Sequence, residues 1–284
     1  MASMMLRASA TSAGGVRSAP LVARAPVASI RARASPARLF AARRSLRTRA
    51  YDLERKGDPT TTDYRVFFRK DGELVSPWHD IPLFAGKGTY NFVAEIPKNS
   101  SAKYESATKE PYTPIKQDVK KGKLRFYPYD ITWNYGFLPQ TWEDPSHKNE
   151  ATSALGDNDP VDVVEIGSAT AESGGVYSVK LLGAYAMIDE GELDWKIIAI
   201  RTDDPKADLV NDVEDVEREF PGELQKVLEW FRDYKIPDGK PANKFGFDNK
   251  ALNKDSAVAI VEETHDFWLK LKDGRTEPEG LSLF

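Results

Sequence analysis

The chain has 284 residues, of which 40% are hydrophobic and 11% aromatic, and this is enough for a buried core in one domain or two small ones. It contains no cysteine, which excludes disulfides, zinc–thiolate sites, iron–sulfur clusters and cysteine nucleophiles, and three scattered histidines do not predict a histidine-rich metal site. The net charge is −4, and no apolar run approaches the roughly 20 residues that span a membrane, so no membrane association is expected.

The charge is distributed unevenly along the chain. Residues 1–50 contain ten arginines and no lysine or acidic residue, so the remaining 30 basic and 44 acidic residues give 51–284 a charge of −14. The Arg-, Ala- and Ser-rich segment has the composition of an organelle-targeting presequence; the alternative is a basic nucleic-acid-binding arm. A domain at −14 repels nucleic-acid backbones, so we expect no nucleic-acid partner. We predict a disordered transit peptide over 1–50, cleaved near Tyr51, and one catalytic domain over 51–284.

The first half of the domain has the pattern of short strands. The run Tyr64-Arg65-Val66-Phe67-Phe68 alternates in polarity before the turn Lys70-Asp71-Gly72, which predicts a hairpin. Further strands are predicted at 90–96, 123–127, 161–166, 176–185 and 195–200. Several short strands separated by turn residues indicate a closed β-barrel, since closure removes exposed sheet edges.

Helical periodicity occurs only later in the chain. Apolar residues recur at i, i+3, i+4 and i+7 from Leu224 to Phe231, after Pro221 at a plausible helix start. A second apolar stripe runs from 257 to 268, with Asn253 or Asp255 as the predicted N-cap. The predicted fold is therefore mainly β with flanking helices (α+β): a single-domain barrel with two or more outer helices, whose stripes serve packing and not chemistry.

The first acidic turn, residues 157–162, carries Asp157, Asp159 and Asp162 around Pro160, directly before a predicted buried strand. Three carboxylates this close repel one another, so one or more should have a raised pKa unless a cation neutralises them. Hard divalent cations with oxygen ligands are the usual solution. The alternative is an Asp/Asn-rich turn whose side chains bond only to local backbone amides.

The second acidic turn, residues 189–196, contains Asp189, Glu190, Glu192 and Asp194 and leads into another predicted strand. Taken alone, it is equally well explained as a solvated hairpin. Two acidic turns that each adjoin a strand can converge at one mouth of a barrel, and we take this convergence as a hypothesis.

Basic and phenolic residues occur elsewhere at positions that could complement these acids. Lys103 and Glu105 are two residues apart and share a strand face, Arg125 has strand parity, and Tyr234-Lys235 ends the first helical stripe. Each cation is alternatively an ordinary surface residue with a packed aliphatic stem. Carboxylates for metals combined with Lys, Arg and Tyr for oxyanions indicate metal-assisted phosphoryl transfer.

The same segments resemble the soluble inorganic pyrophosphatases of family I. Eight segments match the family's motifs in order and cover roughly residues 62–270. They are Val93-Ala94-Glu95-Ile96-Pro97, Lys103-Tyr104-Glu105, Lys121-Gly122-Lys123-Leu124-Arg125, Asn134-Tyr135-Gly136, Pro139-Gln140-Thr141-Trp142-Glu143-Asp144-Pro145, Asp157-Asn158-Asp159-Pro160-Val161-Asp162, Asp189 to Lys196, and Tyr234-Lys235-Ile236-Pro237-Asp238-Gly239-Lys240-Pro241. The resemblance implies an OB-like closed barrel of five strands.

The resemblance also implies a role for each matching position. Asp157, Asp162 and Asp194 hold the first activating Mg²⁺, Asp162 bridges to the second, and Asp159 is the general base on the water between the two ions. Glu105, Asp189 and Asp194 hold the one or two Mg²⁺ that arrive with pyrophosphate. The residues implied to hold phosphate oxygens are Lys103, Arg125, Tyr135, Lys196, Tyr234 and Lys235. Glu95 and Glu192 are implied to support the ligands, and Trp142 and Asp144 to lie near the site.

The chain departs from the fungal and animal dimers of this family. It is shorter than the fungal type between Arg125 and Tyr135, and it has Lys98-Asn99 where those dimers place an interface aromatic, so we expect a monomer. The short segment, the Leu281-Ser282-Leu283-Phe284 end and the presequence resemble the plastid branch of plants and green algae. We expect a chloroplast location, with the mitochondrion as the alternative.

The expected activity is Mg²⁺-dependent hydrolysis of pyrophosphate to two orthophosphates by a hydroxide that bridges the two metal ions, with magnesium pyrophosphate as the small-molecule substrate. One alternative is a non-catalytic barrel that acts as a binding module, although no implied site residue is missing. Another is a phosphohydrolase that acts on a nucleotide or a phosphorylated metabolite.

Overall fold

The computed structural model describes residues 51–284. The transit peptide predicted for 1–50, with the cleavage site at its end, lies outside the described residues. The described part is mainly β, with few helices, as predicted. Among residues 51–284, no helix combines the length and the apolar character that crossing a bilayer needs.

The strands and helices are numbered in chain order. The strands are β1 Asp52–Lys56, β2 Arg65–Lys70, β3 Glu73–Val75, β4 Phe84–Gly86, β5 Thr89–Ile96, β6 Ser100–Ala102, β7 Tyr104–Ser106, β8 Ile115–Gln117, β9 Val119–Lys120, β10 Lys123–Leu124, β11 Phe126–Ile131, β12 Asn134–Phe137, β13 Leu155–Gly156, β14 Asp162–Glu165, β15 Val176–Asp189, β16 Glu192–Arg201, β17 Lys244–Phe245 and β18 Leu252–Asn253. The α-helices are α1 Val213–Glu219, α2 Glu223–Asp233 and α3 Lys254–Lys272, and short 3-10 helices span Ala207–Leu209, Ile236–Asp238 and Phe247–Asn249.

The largest sheet has nine strands, paired in the order β13-β16-β14-β12-β5-β15-β17, with β4 and β18 on β5 and β15. β15 also pairs with β16, so the pairings of β16, β14, β12, β5 and β15 form a ring. Most of these contacts are antiparallel, but β14 and β13 run parallel to β16. This parallel contact places the start of β14 beside the start of β16, where both acidic turns lie.

Two hairpins use the turn chemistry that their sequences predict. β2 and β3 are joined by Asp71 (φ 52°) and Gly72 (φ 87°), which confirms the hairpin expected there. β15 and β16 are joined by Glu190 (φ 52°) and Gly191 (φ 105°). Positive φ at both central residues gives a turn whose twist matches the strands. The second acidic turn is therefore a hairpin that also holds Asp189 and Asp194 near one end of the sheet.

The strand predicted over 123–127 is wrong in one respect, because the structure divides it at Arg125. β10 pairs with β9, whereas β11 pairs with β6, so the two halves have different partners. The β11–β6 pairing is regular only at its ends, Phe126 with Ala102 and Ile131 with Ser100, and is irregular in between. A bulge of this kind redirects the side chains that it contains.

The predicted apolar stripe of α2 is buried in one core cluster, and that of α3 in two others, because Ala257, Ile260 and Val261 lie in one and Trp268 in another. Val163 and Ile197 belong to the cluster that includes Ala257, whereas the following residues, Val164 and Ile198, belong to the cluster that includes residues of α2. Period-two alternation along the strands explains this division. The side chain of Asn253 accepts from the N–H of Ser256 at 3.0 Å, so Asn253 and not Asp255 is the N-cap of α3.

The C-terminal residues hold a segment that borders the site. The N–H of Ser282 donates to the carbonyl of Thr108 at 2.8 Å, and the N–H of Tyr112 donates to the carbonyl of Phe284 at 3.1 Å. The carbonyl of Ser282 lies 2.9 Å from Nε2 of His79, whose pKa is lowered to about 4 by burial. His79 therefore stays neutral at physiological pH and serves packing.

Candidate active site

The two acidic turns meet in a cavity of ≈ 530 Å³, here called the acidic cavity. Its walls come from β5, β7, β12, the first acidic turn, the β15–β16 hairpin, the end of α2 and the segment 106–110. Most of the predicted site residues line it, namely Glu95, Lys103, Glu105, Tyr135, Asp157, Asp159, Asp162, Asp189, Asp194, Lys196 and Tyr234. The predicted convergence of the two acidic turns is therefore observed.

Strand register explains why the acids meet. In the parallel β14–β16 pairing Asp162 lies opposite Lys196, and Asp194, two residues earlier, points to the same side as Lys196. The first acidic turn is fixed from the other side by two backbone hydrogen bonds: the N–H of Glu143 donates to Asp159 and the N–H of Asn158 donates to Glu143, both at 2.9 Å. Carboxylates distant in sequence are thereby fixed by backbone pairing and not by flexible loops.

Three carboxylates form the cluster best suited to a cation. One oxygen each of Glu143, Asp157 and Asp194 lie within 4.8 Å of one another. Burial and the neighbouring carboxylates raise the pKa of Glu143 and Asp157 well above the ordinary range, and burial raises the pKa of Asp194 to about 7. Oε1 of Glu143 accepts from the N–H of Trp195 at 2.8 Å, whereas Oε2 is buried without a hydrogen-bond partner in the described part of the chain. Such an orphaned oxygen suits a cation ligand.

Lys196 is the buried counter-charge of this cluster. Its side chain is 2% exposed, and its Nζ donates to Asp162 at 2.5 Å and also to Asp194. Burial alone would lower its pKa, but the two carboxylates hold the pKa well above the usual range. The rings of Tyr135 and Phe231 lie 5.7 and 5.6 Å from Nζ and exclude water. Lys196 is therefore a permanently charged ammonium at the base of the cavity.

Asp159 is placed differently from the other acids. Its side chain remains open to the cavity, while the surrounding walls and the carboxylates of Asp162 and Glu105 raise its pKa to about 6. The carboxylate contacts solvent on the side that faces the cavity. The protein on its other sides withholds part of the hydration that would stabilise the charged form. Its N–H donates to Asp157 at 3.0 Å, and Thr108 Oγ1 lies 3.4 Å from Oδ1. An open carboxylate with a raised pKa is suited to accept a proton.

The remaining cations and phenols that the sequence predicted for the site each pair with a carboxylate. Lys103 donates to Glu105 at 2.8 Å and to Asp118 at 3.2 Å, and Arg125 donates to the same Asp118 at 2.8 Å. Burial would lower the pKa of Lys103, but Glu105, Tyr127 and Asp118 raise it. Arg125 does not line the acidic cavity but lies behind Lys103 through their shared partner.

Asp189 is the partner of the groups that end α2. Lys235 Nζ donates to its Oδ1, and Tyr234 Oη lies 3.3 Å from its Oδ2. Tyr135 Oη in turn donates to Asp162. Burial, followed by neighbouring carboxylates, raises the pKa of both tyrosines, so both are hydrogen-bond donors at neutral pH. Lys235, like Arg125, lies outside the cavity lining.

The predicted supporting residues differ in position. Glu95 is buried and accepts from the N–H of Ser106 at 2.6 Å, which holds the segment that borders the cavity. Trp142 is fully buried, and its Nε1 donates to Asn158 in the first acidic turn at 3.0 Å. Asp144 is buried and caps its own turn by accepting from Ser146. Glu192 is exposed at the start of β16 and does not line the cavity.

Sequence reasoning missed Glu143, Asp118, Thr108 and Tyr127 as site residues. Glu143 was inside a recognised motif, between Trp142 and Asp144, but nothing local marks it as the residue that reaches Asp157 and Asp194. Asp118 precedes Arg125 by seven residues, and their pairing depends on β9 and β10 folding back. Only Tyr127 has a usable signal in the sequence. It lies two residues after Arg125 in a predicted strand, so its side chain is expected on the same face of that strand.

We predict that metal binding and protons compete for the raised-pKa carboxylates. Because Asp159 and Asp194 titrate near 6 and 7 instead of near 3.8, the metal-free protein loses stability as pH rises through this window. A bound cation removes that loss, so the difference in Tm between Mg²⁺ and chelator should be small at pH 5 and larger at pH 8. Glu143 and Asp157, whose pKa values are also raised, extend the increase to higher pH. Scanning calorimetry from pH 5 to 8.5 measures this difference in Tm. The titration of His79 contributes equally with Mg²⁺ and with chelator, so it cancels in the difference. A difference independent of pH would contradict the prediction.

We also predict that Gly156→Ala disturbs the first acidic turn. A Cβ on Gly156 would lie 2.5 Å from the backbone C and O of Glu143, too close for any real contact. Moving this backbone should cost about 1–3 kcal/mol of unfolding free energy and weaken metal binding, because Glu143 and Asp157 flank the contact. Gly86→Ala, at an exposed position of β4 where the added Cβ would meet nothing closer than Thr89 Oγ1 at 3.6 Å, is the control. Urea unfolding and Mg²⁺ calorimetry are the measurements; equal stability of both variants and wild type would contradict the prediction.

Comparison with known proteins places this geometry in a family. A sequence model described as inorganic pyrophosphatase matches residues 92–269. The chloroplastic soluble inorganic pyrophosphatase 1 of Chlamydomonas reinhardtii is 65% identical, over 82% of this chain and 84% of the relative. The chloroplastic soluble inorganic pyrophosphatase 6 of Arabidopsis thaliana is 61% identical, over 82% and 78%. A crystal structure of the truncated vacuolar soluble pyrophosphatase of Trypanosoma cruzi in complex with PPi is 41% identical, covers 81% of this chain and 94% of that one, and superposes with a TM-score of 0.76.

The family match covers more than half of the chain and includes both acidic turns, the buried Lys196 and the end of α2. The two chloroplastic relatives are matched over most of their own lengths. The chain therefore belongs to the inorganic pyrophosphatase family.

Proposed function

We propose that the protein hydrolyses inorganic pyrophosphate to two orthophosphates with the help of Mg²⁺. The observation that carries this proposal is the composition of the acidic cavity, in which a carboxylate cluster and the donors Lys103, Lys196, Tyr135 and Tyr234 line one space of ≈ 530 Å³. The relatives' names and the PPi complex of the similar Trypanosoma cruzi protein support the same substrate.

The donor set fits a hard divalent cation. All candidate ligands are carboxylate oxygens, the preferred ligands of Mg²⁺, and Glu143 Oε2 still lacks a partner among the described residues. In this proposal Asp157, Asp162 and Asp194 would hold the first of two activating ions, with Glu143 within reach of the oxygens of Asp157 and Asp194, and Asp162 would also contribute to the second. Asp189, Asp194 and Glu105 receive one or two further ions with the substrate. Bound Mg²⁺ would polarise the phosphoryl oxygens and acidify water in the cavity.

Asp159 is proposed as the general base. Its carboxylate is open to the cavity, it is fixed through its own N–H, and its raised pKa makes it a better proton acceptor near neutral pH than an ordinary aspartate. It takes a proton from the attacking water as the oxygen of that water forms a bond to one phosphorus. The bond from this phosphorus to the bridging oxygen breaks, and the two products are orthophosphates.

The pairs seen in the site suggest how substrate enters. Five side chains each donate to a carboxylate that is also a proposed metal ligand; they are Lys103, Lys196, Lys235, Tyr135 and Tyr234. When magnesium pyrophosphate binds, the cations of the substrate take the carboxylates, and its oxygens take the freed donors. Arg125, now paired with Asp118, is proposed to join the phosphate-binding set. Each carboxylate that loses its protein donor thereby gains a cation of the substrate, and each freed ammonium or hydroxyl gains a phosphate oxygen.

Four residues are proposed to support this set without touching substrate. Glu95 holds Ser106, and Trp142 fixes Asn158 between the first two aspartates. Asp144 caps the turn that follows Glu143. Glu192 is proposed to act only through the β15–β16 hairpin, in line with its exposed position.

We further propose that the ring of five strands is the OB-like closed barrel expected from the resemblance, and that 51–284 is one catalytic domain. The chloroplast is the proposed location, supported by the chloroplastic relatives, with the mitochondrion as the alternative. The substrate is a small molecule, with neither nucleic acid nor membrane as partner.

The mature protein is predicted to be a monomer. The chain has Lys98 and Asn99 after β5, and neither is the aromatic residue that would form an interface there. Lys98 Nζ donates instead to the carbonyl of Gly167 within the same chain at 2.7 Å. Light scattering of the purified protein at micromolar concentration should give a monomer mass. A dimer mass independent of salt would contradict this prediction.

Phosphate release from a panel of substrates tests the proposed function. Pyrophosphate, tripolyphosphate, a nucleoside triphosphate and a phosphate monoester are compared in Mg²⁺, with an Asp162→Asn preparation as the control for contaminating host enzymes. Pyrophosphate should be hydrolysed fastest. Faster hydrolysis of the nucleotide or the monoester would favour the broader phosphohydrolase. No phosphate release from any of the four substrates would favour a binding module.

A further inference from the structure

Tyr127 is a buried phenol at the acidic cavity that the roles described so far do not use. It lies in the irregular part of the β11–β6 pairing, two residues after Arg125. Its neighbours Phe126 and Tyr129 are 58% and 46% exposed, whereas Tyr127 is 7% exposed and lines the cavity. The short segment between Arg125 and Tyr135 therefore turns one of its two tyrosines into the site and the other outwards.

The ring of Tyr127 is held in one orientation by the last turns of α2. It meets Trp230 edge to face, with ring centroids 4.9 Å apart, and Tyr234 edge to face at 5.6 Å. The strand side is fixed as well, because the N–H of Lys103 donates to the carbonyl of Arg125 at 3.2 Å. A ring confined between these groups presents its hydroxyl in a defined direction without further ordering of the side chain.

The charges around Tyr127 are those of the substrate site. Lys103, Lys196 and Arg125 act on it from the phosphate-binding side and Asp162 from the metal-binding side. Burial, the largest influence, raises its pKa to about 12, so the phenol keeps its proton at neutral pH. Tyr135 and Tyr234 already donate to Asp162 and Asp189, but no acceptor for the Tyr127 hydroxyl is present among residues 51–284. A neutral donor that opens on the cavity and is not paired with a group in the described part of the chain is available to an anion that enters.

We propose that the Tyr127 hydroxyl donates a hydrogen bond to a phosphate oxygen of the bound pyrophosphate. Tyr127 is then a substrate-binding residue supplied by the short segment of this chain, and this inference rests on the proposed function. A neutral donor among lysines and an arginine adds direction without adding positive charge, so it orients the substrate without strengthening retention of the phosphate products as a further cation would.

The test compares Tyr127→Phe with Tyr129→Phe in the full-length chain. Each change removes one hydroxyl and keeps the ring, and Tyr129 on the same strand is the matched control because its side chain is exposed. Calorimetry with the non-hydrolysable analogue imidodiphosphate in Mg²⁺ should show binding about tenfold weaker for Tyr127→Phe, as for a lost hydrogen bond to a charged group. KM should rise by a similar factor with kcat changed less than about threefold, since the interaction holds ground state and transition state alike. Tyr129→Phe should match wild type in all three quantities.

The opposite outcomes are distinct. If imidodiphosphate binds Tyr127→Phe as tightly as wild type, the proposal for Tyr127 is wrong while the proposed function stands. The proposal is equally overturned if the Tm of Tyr127→Phe falls and the affinity of its folded fraction does not change, because the hydroxyl would then serve packing only. If the wild-type protein itself fails to bind imidodiphosphate, both the proposed function and the role of Tyr127 fail.

Discussion

Asp159→Asn is expected to lower pyrophosphate turnover by about 10²–10⁴-fold, the contribution typical of a positioned general base. Asparagine has the same shape, so the hydrogen bond from the backbone N–H to Asp157 and the contact with Thr108 can remain. The change removes the proton acceptor but none of the proposed activating-metal ligands. Mg²⁺ affinity measured by calorimetry in the absence of substrate should therefore stay within a few fold of wild type.

Two outcomes of this experiment would contradict the assigned role. Turnover near that of wild type would show that another group accepts the proton. Loss of both Mg²⁺ binding and turnover would show that Asp159 is a metal ligand. Asp233→Asn, at a surface ion pair with Arg232 on α2, is the matched control and should change neither quantity.

Lys196→Met is expected to destabilise the metal-free protein by about 3–5 kcal/mol, the range found when one partner of a buried ion pair is removed. Methionine fills a similar volume and can keep the contacts with Tyr135 and Phe231, so the loss is mainly electrostatic. Asp162 and Asp194 would lose their shared ammonium in a cavity that already holds the carboxylates of Glu143 and Asp157. The affected carboxylates should protonate, so the loss should be smaller at pH 5 than at pH 8.

Urea unfolding in chelator and in Mg²⁺ measures this effect. Mg²⁺ should restore part of the stability of Lys196→Met, because the cation replaces the missing positive charge. Lys226→Met removes an exposed i,i+3 pair with Glu223 and should change the unfolding free energy by less than about 0.5 kcal/mol. Equal losses for the two variants would mean that Lys196 is not the counter-charge that holds the acidic cavity together.

Local patterns predicted the elements that carry a strong periodic signal. α2 and α3 follow from their apolar spacing, and the β2–β3 hairpin follows from the alternating run before Asp71-Gly72. α1 was missed because it has seven residues and buries only Val216, which is too little for a periodic pattern. The strand predicted over 123–127 was divided because its two halves bond to different partners, and partner choice is not a local property.

The candidate site was predictable in composition but not in pairing. Acid-rich turns beside strands predicted that the two turns would converge, and residues of both turns line the acidic cavity. The choice of Asp157, Asp162 and Asp194 as one ligand set came from the resemblance and is a proposal. Glu143 carries no local signal, since its position depends on backbone contacts with residues 158 and 159. The sequence also did not show that Lys103, Lys196 and Lys235 pair with the carboxylates of the cavity. These pairs form across strands and helices whose arrangement only the folded chain defines.

The central claim is that the acidic cavity, filled with Mg²⁺, is where pyrophosphate is hydrolysed. Phosphate release by chelator-treated, full-length protein during stepwise return of Mg²⁺ tests this claim most directly. We predict no release above background in chelator and full recovery as Mg²⁺ is returned, with no recovery in the Asp162→Asn control. Release that continues in excess chelator, or that Mg²⁺ fails to restore in correctly folded protein, would contradict it.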